Sequence, residues 1–171
     1  MIPLGNRNIL VRHHDCLARP SRVAHSHGST LVAAVLRRRG RALVKSILIV
    51  DDNDSVAEMF AYLFAGHEWR VTWYSDGQRA CEALGGRVHY DAVLVGYRFE
   101  GINGVDLITR IRALDHRKDV PIVMMTGTVD EAVVAAALAA GADGVLKKPA
   151  DVAILVATVT KCVERRRHQA A

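Results

Sequence analysis

Ser46-Ile47-Leu48-Ile49-Val50-Asp51-Asp52 is the stretch that decides the fold. Four consecutive apolar residues leave no polar face, so a strand here must be buried on both sides, with two acids at its carboxyl end. Two more apolar runs repeat the pattern: Ala92-Val93-Leu94-Val95 ends at Gly96, and Pro121-Ile122-Val123-Met124-Met125 ends at Thr126. Shorter strand patterns occupy Arg70–Tyr74 and Gly144–Lys147, the last followed by Lys148-Pro149.

Helical patterns fill the intervals. Val56, Met59, Phe60, Leu63 and Phe64 recur at helical spacing, closed by Gly66. Gly77–Leu84 reads as a short helix stopped by Gly85-Gly86. Asn103 can cap a helix carrying Leu107, Ile108 and Ile111. The alanine-rich stretch Asp130–Ala140 is helical by propensity and ends at Gly141. A last helix, Asp151–Arg167, turns Ile154, Leu155, Val159 and Cys162 towards the core. Five β–α units with doubly buried strands give an α/β domain over residues 46–167, its parallel sheet covered by helices on both faces. In such sheets, sites collect at the carboxyl ends of the strands. Asp51, Asp52, Thr126 and Lys148 all fall there.

The 171 residues carry a net charge of +5, unevenly spread. Residues 1–45 hold nine basic residues against Asp15 alone, a balance of +8, and residues 46–171 hold the other 14 basic and 17 acidic residues, a balance of −3. The extension is rich in Arg, His, Gly and Ser and has no sustained period. Its apolar run Leu31–Leu36 precedes Arg37-Arg38-Arg39, the reverse of a secretory signal. Three readings stand open: a basic tail for nucleic acid or an acidic membrane surface, a disordered neutral extension, or a segment upstream of a true start at Val44. Residues 168–171 read as a tail, and Arg165-Arg166-Arg167-His168 as a helix-terminal charge cluster favoured by the macrodipole. No apolar stretch reaches the ~20 residues of a membrane helix. Three widely spaced cysteines, Cys16, Cys81 and Cys162, suit a reducing, cytoplasmic setting with no cysteine metal site, and the latter two read as core or near-core residues.

The polar residues at the sheet edge suit phosphoryl chemistry. Asp51 and Asp52 are hard oxygen ligands for Mg²⁺. Thr126 offers a hydroxyl donor with Gly127 leaving room beside it, and Lys148 a cationic donor.

Residues 46–167 resemble the receiver domain of bacterial two-component response regulators, including the chemotaxis-regulator type. The resemblance rests on Ile-Leu-Ile-Val-Asp51-Asp52, Asp76-Gly77, Asp91-Ala-Val-Leu-Val, Gly101-Ile-Asn-Gly104, Met-Met-Thr126-Gly, Gly141-Ala-Asp-Gly and Lys147-Lys148-Pro149, in order across nearly the whole domain. It implies a doubly wound, flavodoxin-like sheet of five parallel strands in the order 2-1-3-4-5, flanked by five helices. It also implies a phosphorelay signalling module rather than an enzyme, with a histidine kinase or a downstream effector as partner. Three departures stand out. The phosphoacceptor aspartate of the family would follow Val95, where this chain has Gly96. The aromatic switch residue of the last strand is Val145. The usual Met-Pro of the following loop is Phe99-Glu100.

These departures lead to the expectation of a stand-alone pseudo-receiver that acts by binding. Its Mg²⁺ site at Asp51 and Asp52 would be weakened, with Thr126 and Lys148 as remnants of the phosphoryl site. Lys148 would turn towards Asp51 or Asp52. The expected contact surface is formed by the fourth helix, fifth strand and fifth helix, with Lys147, Lys161 and Arg165 exposed on it. Neither a membrane nor nucleic acid is expected as a partner. Two other readings remain: phosphorylation of a neighbour such as Asp51, Asp52 or Tyr97, and DNA association through the basic extension.

Overall fold

The computed structural model describes residues 11–12, 44–65, 67, 69–99, 101–128 and 130–169. Leu31–Leu36, Arg37-Arg38-Arg39, Cys16, Gly66 and Glu100, on which parts of the sequence reading fall, lie outside them. The strands among these residues are β1 (Val11–Arg12), β2 (Lys45–Val50), β3 (Trp69–Tyr74), β4 (Ala92–Gly96), β5 (Ile122–Thr126) and β6 (Gly144–Lys147). The helices are α1 (Asp54–Ala65), α2 (Gly77–Gly85), α3 (Gly104–Arg112), α4 (Glu131–Ala139) and α5 (Val152–Gln169).

All strand pairs are parallel, in the order β1-β3-β2-β4-β5-β6. From β3 onward this is the expected five-strand order 2-1-3-4-5. The two-residue β1, which no sequence pattern announced, adds to the edge beside Thr72 and Trp73. The last helix continues to Gln169, two residues past the expected domain limit.

Alternate strand residues enter opposite cores, as the period of two requires. Ile47, Ile49, Leu94, Val123 and Met125 face α1 and α5. Leu48, Val50, Val93, Val95, Ile122 and Met124 face α2, α3 and α4. Every residue of β4 and β5 is buried, which explains their unbroken apolar runs. In α1, Phe60 and Phe64 are buried, and Phe64 meets Trp69 edge-on at 5.7 Å between ring centroids. Met59 faces outward. In α5 the buried stripe is Leu155, Val159, Cys162 and Val163, an i, i+4, i+7, i+8 set. Ile154 lies off that stripe and is exposed, contrary to the expectation that it faces the core. Cys162 is buried and Cys81 half-buried, and in both burial pushes the thiol pKa up.

Two charged side chains brace the sheet edge opposite the candidate site. The Asp143 carboxylate, in the loop between α4 and β6, is 3% exposed and accepts from Arg112 Nη2 at 3.0 Å, Arg165 Nη2 at 3.0 Å, Arg166 Nε at 2.9 Å and the Ile122 amide at 2.9 Å. Arg112 also binds the carbonyls of Gly141 and Val120, so α3, β5, α5 and this loop converge on one carboxylate. Arg117 is buried, donates to the carbonyls of Leu84, Gly86 and Val88, and lies over the Tyr90 ring.

Removing one partner of a buried ion pair costs about 3–5 kcal/mol, because the other charge stays buried and uncompensated. Asp143→Ala is therefore expected to lower the unfolding free energy by about 3 kcal/mol or more. Arg165→Ala, at a half-exposed side chain, is expected to cost under about 1 kcal/mol. Urea unfolding of the two variants beside the parent checks both.

Candidate functional site

Four strand ends define the site. Asp51 follows β2, Gly96 ends β4, Thr126 ends β5, and Lys148 follows β6. They meet because a parallel sheet places every carboxyl end on the same edge. The Lys148 amide reinforces this by donating to the Thr126 carbonyl at 2.7 Å. The Lys148–Pro149 peptide bond is cis.

Asp51 is the most enclosed of these groups, with its side chain 1% exposed. The Lys148 ammonium donates directly to Asp51 Oδ2, and the Asn53 amide donates to Asp51 Oδ1 at 3.2 Å. The main chain of Asp51 is tied as well. Its amide donates to the Tyr74 carbonyl at 3.1 Å, and its carbonyl accepts from the Trp73 indole at 2.8 Å. Asp52, one residue on, is exposed. The two acids are therefore not equivalent: one is sealed beneath a lysine, the other stands in solvent.

Gly96 is buried against this pair. A Cβ added to it would lie 3.0 Å from Asp51 Oδ2 and 3.3 Å from the Val50 carbonyl. A side chain at 96 would therefore begin in tight contact with the Asp51 carboxylate. Gly104 opens α3 in a similarly tight place, where a Cβ would come within 2.3 Å of the Gly96 carbonyl. The α3 N-terminus thus rests on the end of β4, fixed by the Gly104 amide donating to Tyr97 O at 2.9 Å and by the Asn103 cap. The Phe99 ring and Ile102 cover Gly77 at the start of α2, which pins the loop after β4.

Thr126 is 2% exposed, and its hydroxyl is committed locally. It donates to Thr128 O at 3.0 Å and accepts from the Thr128 amide at 3.3 Å. Val145 is half-buried in β6 and packs on the core that faces α2, α3 and α4. Lys147 and Lys161 are exposed, as expected. Arg165 is exposed too, but its guanidinium is engaged by Asp143 rather than displayed.

Among the described residues no group of three or more His, Cys, Asp or Glu side chains could hold a metal ion. One carboxylate of the acidic pair already carries an ammonium, and the other faces solvent. Asp51 and Asp52 are the carboxylates that would hold a Mg²⁺ ion, and the ammonium on Asp51 competes with a cation for that oxygen.

Sequence reading did not find Asp143 or Arg117. Asp143 sits within Gly141-Ala-Asp-Gly, but its three arginine partners come from α3 and α5, far away in the chain. Arg117 lies in the charged run Asp115-His116-Arg117-Lys118-Asp119, which reads as solvated loop. For Lys148→Ala the expected loss is roughly 2–3 kcal/mol, below the ~3–5 of a fully buried pair, because 28% of the lysine side chain is exposed. Chemical denaturation measures it, and an unchanged midpoint would show that Asp51 does not need the ammonium.

Among known proteins, the chain is 34% identical over 125 residues to the DNA-binding response regulator MtrA of Mycolicibacterium smegmatis, a match covering 73% of this chain and 53% of that protein. It is 31% identical over 120 residues to the sensory transduction protein RegX3 of Mycobacterium bovis, covering 70% and 51%. It thus spans about half the length of these relatives. The MtrA name specifies DNA binding, so the expectation that nucleic acid is not a partner gains no support from it. A crystal structure of a response regulator of Chloroflexus aurantiacus superposes with a TM-score of 0.67 at 32% identity, covering 70% of this chain and 98% of that one. The receiver domain of the sensor histidine kinase PA1611 of Pseudomonas aeruginosa, solved with magnesium in its active-site cleft, gives 0.65 at 28% identity, covering 70% and 98%. No helix among the described residues is long and apolar enough to cross a membrane. Residues 47–160 match the response regulator receiver domain model, and the chain belongs to that family.

Proposed function

We propose that this receiver domain is a pseudo-receiver in two-component signalling: it works by protein–protein contact and is not phosphorylated at the usual position. The observation that carries this reading is the direct ion pair between Lys148 and the sealed Asp51 beside Gly96. Transfer to a carboxylate needs a nucleophile, and Gly96 has none. It also calls on a cationic donor, and here the Lys148 ammonium is paired with Asp51.

Each remaining group is internally satisfied. The Thr126 hydroxyl is closed on Thr128 and Val145 offers no ring to swing, so the domain holds one arrangement. Mg²⁺ affinity at Asp51 and Asp52 is correspondingly weak, and no signalling step depends on it. Asp51 is a poor substitute acceptor because it is buried beneath a cation that lowers its nucleophilicity.

Contact runs through the face of α4, β6 and α5. The exposed side of α4 carries Ala132, Ala135, Ala136, Leu138 and Ala139, with Leu138 51% exposed, and Ile154 of α5 is 57% exposed. Lys147 and Lys161 add positive charge. A histidine kinase or an effector with an apolar patch and acidic rim suits this surface.

An intact-mass spectrum after incubation with a small-molecule phosphodonor and Mg²⁺ tests the reading. The wild type is expected to stay unmodified, and Gly96→Asp to gain one phosphoryl group. A modified wild type would overturn the pseudo-receiver reading and move the search to Asp51, Asp52 or Tyr97. Thermal melts of the wild type with and without millimolar Mg²⁺ are expected to coincide, since a ligand stabilises only by RT ln(1 + [L]/Kd).

A further inference from the structure

An edge strand exposes a row of backbone N–H and C=O groups on which another strand can form. The two sides of this sheet meet that hazard differently. On one side β6 is four residues long, none of them buried, and it ends in the exposed Lys147. Shortness and an edge lysine are two of the ways in which proteins keep an edge from pairing. On the other side β3 has neither. It runs for six residues, Trp-Arg-Val-Thr-Trp-Tyr, rich in the aromatic and β-branched types that favour strands, with Arg70 its one charge.

β3 is also held in place. Trp69, Val71 and Trp73 are each at most 3% exposed. The Trp73 indole donates to the Asp51 carbonyl at 2.8 Å, and Trp69 meets the Phe64 ring edge-on. What β3 presents sideways is therefore backbone that is already ordered, so a strand arriving there costs only its own ordering. β1 lies on this edge. Val11 and Arg12 pair in parallel with Thr72 and Trp73, and residues 13–44 join them to β2, ample for a parallel crossover, which takes about a dozen residues or more. The cover is partial: among the described residues, Trp69, Arg70 and Val71 pair with β2 alone. It is also slight, because a two-residue ladder makes few hydrogen bonds, each worth little once the exchange with water is counted.

We propose that the outer edge of β3 is a self-association surface and that the segment at Val11–Arg12 is its removable cover. When that segment leaves, two copies of the chain pair β3 to β3, antiparallel about a two-fold axis, and their sheets become one. A second copy fits because an isologous contact uses one patch on both partners, and this edge presents the same six ordered residues in each. The contact is carried by backbone, and the face of α4, β6 and α5, at the other side of the sheet, stays open to a partner. Displacing the cover is thus a route to assembly without phosphorylation. It does not depend on Gly96, so the phosphodonor experiment and the one that follows fail separately.

The test is sedimentation velocity over a concentration series, with the full chain and with its double variant Val11→Pro/Arg12→Pro, in which neither residue has an N–H to give to the ladder. The variant is expected to dimerise at least about tenfold more tightly than the wild type. Amide hydrogen exchange on the same samples locates the contact. Protection of β3 at Trp69–Val71 is expected to rise as the variant dimerises, while β4 and β5 stay protected throughout and report an intact sheet. A variant that stays monomeric, a variant that dimerises with no gain of protection in β3, or a wild type that dimerises equally tightly would overturn the proposal. Loss of protection in β4 and β5 of the variant would overturn it too, by showing that β1 belongs to the core of the fold and is not a removable cover.

Discussion

A carboxylate held in the interior cannot remain uncompensated, and at the carboxyl edge of this sheet Asp51 is compensated by Lys148. The cost of burying one charge is several kcal/mol, so whichever cation answers Asp51 also decides what else the site can do. A strand rule brings the two together. Every residue of β4 and β5 is apolar or small and buried, so polar chemistry is expelled to the strand ends. Lys148 is delivered there by β6, with its amide on the Thr126 carbonyl. Gly96 then allows the approach, because a side chain at that position would begin 3.0 Å from the Asp51 carboxylate.

The opposite edge shows the same logic. Asp143 is a buried anion answered by three arginines from two helices, and Arg117 a buried cation answered by carbonyl oxygens and an aromatic face. These knots tie α2, α3 and α5 together at that edge. The Arg165-Arg166-Arg167 run, read from sequence as a response to the helix dipole, is more specific than that. Arg165 and Arg166 bind Asp143, and Arg167 binds Asp91 at 2.9 Å. With one edge tied by these pairs, the α4–β6–α5 face keeps Leu138 and Ile154 exposed.

The fold was legible because its strands are doubly buried and its helices carry ordinary caps. Asn103 and Asp130 occupy the N-cap positions of α3 and α4, and β6 spans the four residues expected. What could not be read shares one cause, which is contact between residues distant in sequence. Ile154 lies one residue off the buried stripe of α5, and Met59 is exposed beside the buried Phe60. β1 is two residues long and has no periodicity to read. The residues of the candidate site could be named from their places at strand ends, but sequence left open whether Lys148 faces Asp51 or Asp52. Burial answers that: Asp51 is sealed and Asp52 is not.

The claim that Gly96 leaves Lys148 committed to Asp51 is tested most directly by a double-mutant cycle. Unfolding free energies are measured for Asp51→Asn, Lys148→Met and both together, first in the wild type and then in the Gly96→Asp background. The account predicts a coupling energy of at least about 1 kcal/mol in the wild type, within the range found for contacting residues. It predicts a clearly smaller coupling after Gly96→Asp, because the added carboxylate competes for the same ammonium. Equal coupling in the two backgrounds, or none in the wild type, would contradict it.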